Sequence, residues 1–401
     1  MMPTPSSSVN MPSDTPYRFG FVLQQVLGWV GASQAFKRFV EVDHSVVATW
    51  NKVTFVQEAG LVERLPIPPG ARGAIRGALQ TRQGLGALPI PLGIAGAAVR
   101  YDALLFNTPS LCRVVPDLIT STPSILVTDV TPRQLADLEP YYGKLGSLQP
   151  NYTALKHRVY VWVCQRLRLI VAWSEWVRQS LISDYGIPPE KMIVLPASID
   201  LDKWTAAPSG ARVAQLAAPG ALPHILFVGG DFTRKGGLQL LEWFLAYGQG
   251  RCELHIVTRT PPDASAAPGL HIHTDLETND PRLIQLYHES HVFALPTLAD
   301  CYSVAAIEAM ATGLPVILTN VGGAGEIVTD GVDGYSVEPR DGAALAQRLE
   351  EVISDPMRAI TMGEAARQTA ERRFNARDFS SAVLGHMKAF ADERRAQLAG
   401  K

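Results

Sequence analysis

Several things that would place this chain quickly are scarce in it. Only 18% of its 401 residues are charged and the formal net charge is −2, which argues against a protein that grips nucleic acid over its whole surface. Four cysteines, Cys112, Cys164, Cys252 and Cys301, stand far apart without metal-ligand spacing. They read as buried or neutral thiols in a reducing compartment. No apolar run reaches the roughly 18–20 residues that a membrane-spanning helix needs. Residues 1–16, rich in Pro and Ser, lack the basic start and apolar run of a secretory signal. They are expected to form a disordered tail on a cytoplasmic protein.

Apolar residues are plentiful: 47% of the chain, the share of a well-filled globular interior. The length exceeds what one simple core accommodates and suits two domains of roughly 200 residues each. Charge is spread unevenly, with 18 Lys+Arg against 14 Asp+Glu in residues 1–200 and 18 against 24 in residues 201–401. A mildly basic first half suits an acidic acceptor or an anionic membrane, and solvated surface produces the same imbalance.

Short apolar runs alternate with helical segments throughout, the pattern of α/β proteins with parallel sheets covered by helices. Strand candidates in the first half are 18–25, 45–50, 102–109, 124–130, 167–174 and 191–198; in the second, 224–230, 252–258, 291–297 and 314–320. The stretch 203–223, "KWTAAPSGARVAQLAAPGALP", is rich in Ala, Pro and Gly and marks a linker. The expected division is a Rossmann-like domain over 17–202, the linker, and a second Rossmann-like domain over 224–375. Residues 376–401 form a helix that packs on the second domain or crosses back to the first. The ligand crevice belongs between the carboxyl ends of the two sets of strands.

Two motifs carry chemistry. In "HILFVGGDFTRKGGLQLLEWF" (224–244) a strand ends in Gly229-Gly230, and Arg234-Lys235-Gly236-Gly237 opens a helix. Glycines let backbone approach a ligand closely, and two adjacent cations suit a diphosphate. The spacing is neither a Walker loop nor the dinucleotide fingerprint. In "ADCYSVAAIEAMATGLPVI" (299–317), Ser303 suits the cap of a helix whose first amides face an anion. Asp300 precedes that helix, and Glu308 lies roughly 7 Å along its axis. One acid on each flank of a bound phosphate suits the hydroxyls of the two sugar rings of a sugar nucleotide. A dipole-complementing acid explains Asp300 alone.

"VAWSEWVRQSLISDYGIPPEKMIVLPASID", "FVGGDFTRKGG" and "LPTLADCYSVAAIEAMATGLPVILTNVGGAGEIVTDGVDGY" resemble, in order, the motifs of retaining glycosyltransferase family 4, the group 1 transferases of GT-B architecture. The resemblance is firm over 167–340 and weaker to about 395. It implies two Rossmann-like domains facing a cleft, and transfer of a sugar from a nucleoside-diphosphate donor to a hydroxyl acceptor with retention of configuration. Lys235 and Arg234 would hold the diphosphate, with Gly229 and Gly230 beneath it. Glu308 would bind the ribose hydroxyls, and the backbone of Tyr302, Ser303 and Val304 would meet the sugar or phosphate. Asp300 takes the place of the first Glu of a Glu-x7-Glu pattern. "DCYS" stands where Glu-x-Phe-Gly is frequent, so a side chain replaces a glycine. Gly322 and Gly323 resemble a loop beside the site, which Glu326 holds in place.

In the first half, Gly28 and Gly31 follow the first strand and resemble glycines that open a turn toward the cleft. Asp129 stands where the family often has a His near the donor sugar. It is a sugar ligand, a base on the acceptor hydroxyl, or a plain cap of the Thr131-Pro132 turn. Asn107 and Ser174 also sit at strand ends. No serine–histidine–acid set stands out, and the family's mechanism needs none. The donor is expected to be a UDP- or GDP-sugar, with a glycan, lipid-linked or small-molecule acceptor, no cofactor, no resident metal and no nucleic acid. "DLD" at 200–202 belongs to an interdomain segment. Residues 65–99 carry Arg72, Arg76 and Arg82 and no acids. This segment either rests on anionic lipid as a peripheral membrane contact or forms a helix that lines the acceptor cleft or covers the sheet.

Overall fold

Most of the apolar runs form strands buried on both faces, as parallel sheets covered by helices require. A computed structural model describes residues 15–24, 28–53, 69–86, 101–142, 153–208, 210–262 and 267–400. The expected tail therefore lies almost wholly outside the described residues, as do 65–68 and 87–99. The first half holds β1 (Tyr17–Gln24), α1 (Trp29–Glu41), β2 (Val46–Val53), α2 (Pro69–Gly84), β3 (Ala103–Phe106), α3 (Pro109–Arg113), α4 (Pro116–Ser121), β4 (Ser124–Thr128), α5 (Pro132–Asp137), α6 (Glu139–Tyr142), α7 (Ala154–Arg166), β5 (Leu169–Ala172), α8 (Glu175–Ser183) and β6 (Met192–Val194). The second holds α9 (Ala211–Leu216), β7 (His224–Val228), α10 (Gly237–Trp243), β8 (Glu253–Val257), β9 (Leu270–His273), α11 (Pro281–Glu289), β10 (Val292–Leu295), α12 (Val304–Ala311), β11 (Val316–Thr319), β12 (Gly334–Val337), α13 (Gly342–Ser354), α14 (Pro356–Arg373) and α15 (Ala376–Ala399).

The strands make two six-stranded sheets, ordered β2-β1-β3-β4-β5-β6 and β12-β11-β10-β7-β8-β9, with parallel pairing throughout. Strand order reverses between β1 and β3 in the first sheet and between β7 and β10 in the second. Crevices at the carboxyl ends of strands form at such reversals. The loops that follow β7 and β10 hold Arg234, Lys235, Asp300 and Ser303, so the second reversal gathers both motifs into one place. Gly28 and Asn107 sit at the corresponding point of the first sheet.

Phe19, Phe21 and Phe106 fill the first sheet, and Phe227, Phe244 and Phe293 fill the second, all fully buried. One apolar cluster runs without a break from Phe21 through Trp29, Trp173 and Trp204 into the second sheet, and a separate one backs the far face of the first. The halves are tied where the chain passes between them. Ile199 donates its N–H to Phe374 at 2.9 Å and accepts from Ala376 at 3.0 Å. Beyond that crossing α15 lies along the first half: Lys388 pairs with Asp43 at 2.7 Å and Arg395 with Asp102 at 2.7 Å. The Tyr17 hydroxyl donates to Asp392 at 3.0 Å.

Three details differ from the sequence reading. The linker 203–223 is not bare chain: it carries α9, and Trp204 is buried edge-on against Tyr287. Arg212 there donates to the backbone oxygens of Tyr287, Ser290, Thr312 and Gly313. β9 and β12 were not foreseen, because "LHIH" is a polar edge strand and "GYSV" is short and opens with Gly. Within the basic segment, Arg82 is buried against Asp117. Among the described residues no helix is long and apolar enough to cross a membrane.

Candidate active site

The loop after β7 is folded by its glycines. Gly236 has φ +80°, and a Cβ there would lie 1.8 Å from the Pro296 carbonyl oxygen, so only glycine lets the loop touch the start of the β10 loop. A Cβ on Gly229 would come within 2.9 Å of the Lys235 Cβ. That fold carries Lys235 to Asp300, with which it forms a largely buried ion pair. The expected sugar-reading acid thus sits on the expected phosphate-binding lysine. Arg234 is held more tightly still. It donates to the Ala299 carbonyl at 2.7 Å, reaches Asp231 at 3.4 Å and lies 4.4 Å from the Tyr142 ring centre.

Ser303 caps α12 by accepting from the Ala306 N–H at 3.4 Å. Glu308 lies one turn beyond Val304, on the same helix face. Val304 packs across the cleft on Gly28, where a Cβ would stand 3.2 Å from Val304 Cγ2. A side chain at 28 would require Val304 to give by a few tenths of an ångström. Glu308 is buried and accepts from the Tyr287 hydroxyl at 3.1 Å. Burial pushes its carboxyl up to about 8, a rise that Tyr287 and the Lys203 charge partly oppose.

Asp129 stands at the carboxyl end of β4, half-buried. Burial raises it to about 6, the Trp29 indole counters this, and the charge of Asp300 across the cleft adds to it. The turn-capping alternative gives way, because Thr131 does that work: its hydroxyl accepts from Gln134 N–H at 3.3 Å, and the Gln134 side chain accepts from Thr131 N–H at 3.0 Å. Asn107 and Ser174 are likewise occupied. Asn107 exchanges two hydrogen bonds with the backbone of Gln24, at 2.7 and 3.0 Å, and Ser174 caps α8.

An aromatic stack crosses the cleft. Trp29 stacks on Trp173 at 4.0 Å between ring centres, and Trp173 meets Tyr302 edge-on at 5.9 Å. Glu326 bridges the halves too, accepting the N–H groups of Glu175 and Trp176 at 2.8 and 2.7 Å. It pins the first turn of α8, while its own loop is held by Gly323, which donates to the Cys301 carbonyl at 3.0 Å.

Sequence reasoning passed over Trp29, Tyr142, Trp173 and Tyr287, whose roles arise only when distant segments meet. It also passed over Arg259, at the carboxyl end of β8 beside Gly230. A cation just past a strand end was visible there, but which strand lies beside it was not. Among the described residues no cluster of His, Cys, Asp or Glu has metal-binding geometry.

Two doubly wound parallel sheets that face one cleft, with the cationic loop on one side and an acid opposite, define a GT-B glycosyltransferase fold. The family model described as "Glycosyl transferases group 1" matches residues 222–355, and that described as "Glycosyltransferase Family 4" matches 131–203. Over these two segments the chain matches glycosyltransferases of this family. It is 30% identical over 244 residues to a D-inositol 3-phosphate glycosyltransferase of Xylanimonas cellulosilytica, covering 56% of this chain and 58% of that protein. The chain spans between 24% and 58% of the length of the curated relatives it matches. Sucrose-phosphate synthase from Thermosynechococcus elongatus has the same fold, with TM-score 0.69 and 17% identity over 96% of this chain and 100% of that one. Anabaena HepE in complex with UDP-glucose has a TM-score of 0.63 and 17% identity over 92% of this chain and 99% of that one.

Proposed function

We propose that this protein moves a glycosyl group from a nucleoside-diphosphate sugar to a hydroxyl acceptor, with retention of anomeric configuration. One observation carries the proposal: the loops after β7 and β10 meet at the strand-order reversal, where Lys235 and the start of α12 converge. The diphosphate lies between them. Lys235 leaves Asp300 for the phosphate oxygens, and Asp300 is released toward the transferred sugar. Glu308 accepts the ribose hydroxyls. Arg234 keeps the 299–302 loop in place and acts through it.

The anomeric carbon–oxygen bond to the diphosphate breaks, and the bond to the acceptor oxygen forms on the same face. The acceptor proton passes to the leaving diphosphate. Lys235 stabilises the charge that grows on the diphosphate, and this electrostatic help needs no metal ion. Asp129, facing Asp300 across the cleft, orients a hydroxyl of the sugar or of the acceptor. A UDP- or GDP-sugar is the expected donor, with the first half choosing the acceptor.

A thermal-shift panel of UDP-, GDP- and ADP-sugars tests the proposal, since a ligand bound by the folded form raises stability with the logarithm of its concentration. One donor class is expected to raise the Tm, and its product to keep the donor's anomeric configuration. A panel with no shift, or an inverted product, would overturn it.

A further inference from the structure

We propose that Arg259 is the second diphosphate-binding cation of this site, the role expected of Arg234 from sequence. The proposal rests on the transferase reading above and names a residue within it.

Arg234 is already engaged. Its guanidinium holds the Ala299 carbonyl, faces Asp231 and lies under the Tyr142 ring. Turning it toward a ligand would give up a buried hydrogen bond to the 299–302 loop, which carries Asp300 and leads into the α12 cap. Lys235 is then the one cation contributed by the 229–236 loop, and a diphosphate carries more charge than one lysine offsets.

Arg259 supplies the rest. β7 and β8 pair in register, Val228 beside Val257, so the residues that follow each strand leave side by side. They are tied together by three hydrogen bonds. Gly229 N–H donates to the Val257 carbonyl at 2.9 Å, Phe232 N–H to the Thr260 hydroxyl at 2.9 Å, and that hydroxyl to the Gly230 carbonyl at 3.4 Å. A Cβ built on Gly230 would find a single neighbour, Arg259 Cδ at 4.0 Å. A Cβ built on Gly229 meets Lys235 instead. The bare Gly229-Gly230 backbone is thus flanked by Lys235 on one side and the stem of Arg259 on the other.

Arg259 is exposed, and it makes no hydrogen bond or ion pair with another described residue. Exposed arginines are commonly just solvated. This one stands at the carboxyl end of a strand next to the reversal point, against the glycines that leave room for a ligand. A guanidinium there can grip two phosphate oxygens with its planar fork, while Lys235 acts as a point charge.

The test uses the full chain and titrates UDP, GDP and ADP, with the matching monophosphate and nucleoside, by calorimetry. Arg259→Ala is expected to weaken the preferred diphosphate by roughly tenfold to a hundredfold, the scale of a lost charge-assisted pair. The nucleoside should be unaffected, Arg259→Lys should recover part of the loss, and the Tm should stay that of wild type because the side chain is exposed. Diphosphate affinity of Arg259→Ala equal to wild type, with wild type binding well, overturns the role of Arg259 alone. Wild type that binds none of the three diphosphates overturns the transferase reading and Arg259 with it.

Discussion

Replacing Glu308 by Gln separates what this residue does for the fold from what it does for a ligand. The carboxyl is buried on α12 and accepts one hydrogen bond, from Tyr287. Its folded-state value of about 8 lies above the ordinary 4.5. Stability is therefore fullest below pH 4.5 and is lost as pH rises toward 8, because the unfolded chain releases the proton first. Each pH unit in that window costs about 1.4 kcal/mol, so the loss is on the order of 3 kcal/mol at pH 7. Glutamine keeps an oxygen for Tyr287 and does not titrate. Glu308→Gln is expected to unfold at higher urea than wild type at pH 8, to match it at pH 5, and to show a flatter stability–pH slope between. Above about pH 8, where the carboxyl is ionised, the same change also removes a charged acceptor for ribose hydroxyls. Nucleoside-diphosphate affinity is expected to fall roughly tenfold to a hundredfold, the scale of hydrogen bonds to a charged group. Urea titrations at the two pH values and calorimetry read both effects. A variant less stable than wild type at pH 8, with unchanged nucleotide affinity, would refute the reasoning on both counts.

Other consequences are independent of that one. Asp129, raised to about 6 by burial, is charged only above that value, so turnover should rise through pH 6. Asp129→Asn should lower kcat and abolish that acid limb, and an unchanged limb would assign it to another group. His224, His255, His271, His273 and His291 cluster on the second sheet, with ring centres 4.6 to 5.7 Å apart between neighbours. Burial drives His255 down to about 3 and His291 to about 4. Their depressed values give stability that is full above pH 6.5 and lost as pH falls, by about 1–2 kcal/mol per imidazole at pH 5. His255→Gln should reduce the Tm difference between pH 7 and pH 5, and an undiminished difference would acquit the cluster. Glu326→Ala frees the first turn of α8 from the second half, so small-angle scattering should show a more open molecule, whereas an unchanged profile would mean the remaining contacts suffice.

The second half was the more legible because its signals are local. A strand that ends in Gly229-Gly230, a cationic pair four and five residues further on, and a serine directly before an apolar helix are each readable within a few residues. Each shapes its own neighbourhood in the way short-range sterics and capping dictate. Partnerships across the chain were not legible. That Lys235 pairs with Asp300, that Arg234 is spent on a carbonyl 65 residues away, and that Tyr142 covers it all depend on how the two sheets meet. Asp129 shows the difference well. Its turn could be read as a cap, but the neighbouring Thr131–Gln134 pair already fills that role, and what faces Asp129 is Asp300 from the other half. Edge strands escaped for a different reason: β9 is too polar to carry an apolar signature.

The most direct measurement is the turnover of Lys235→Ala with whichever nucleoside-diphosphate sugar wild type accepts. If a diphosphate leaves from the reversal point between β7 and β10 against Lys235, kcat should fall by at least about a hundredfold, the scale for removing one electrostatic stabiliser. A variant that turns over at the wild-type rate would place the leaving group elsewhere.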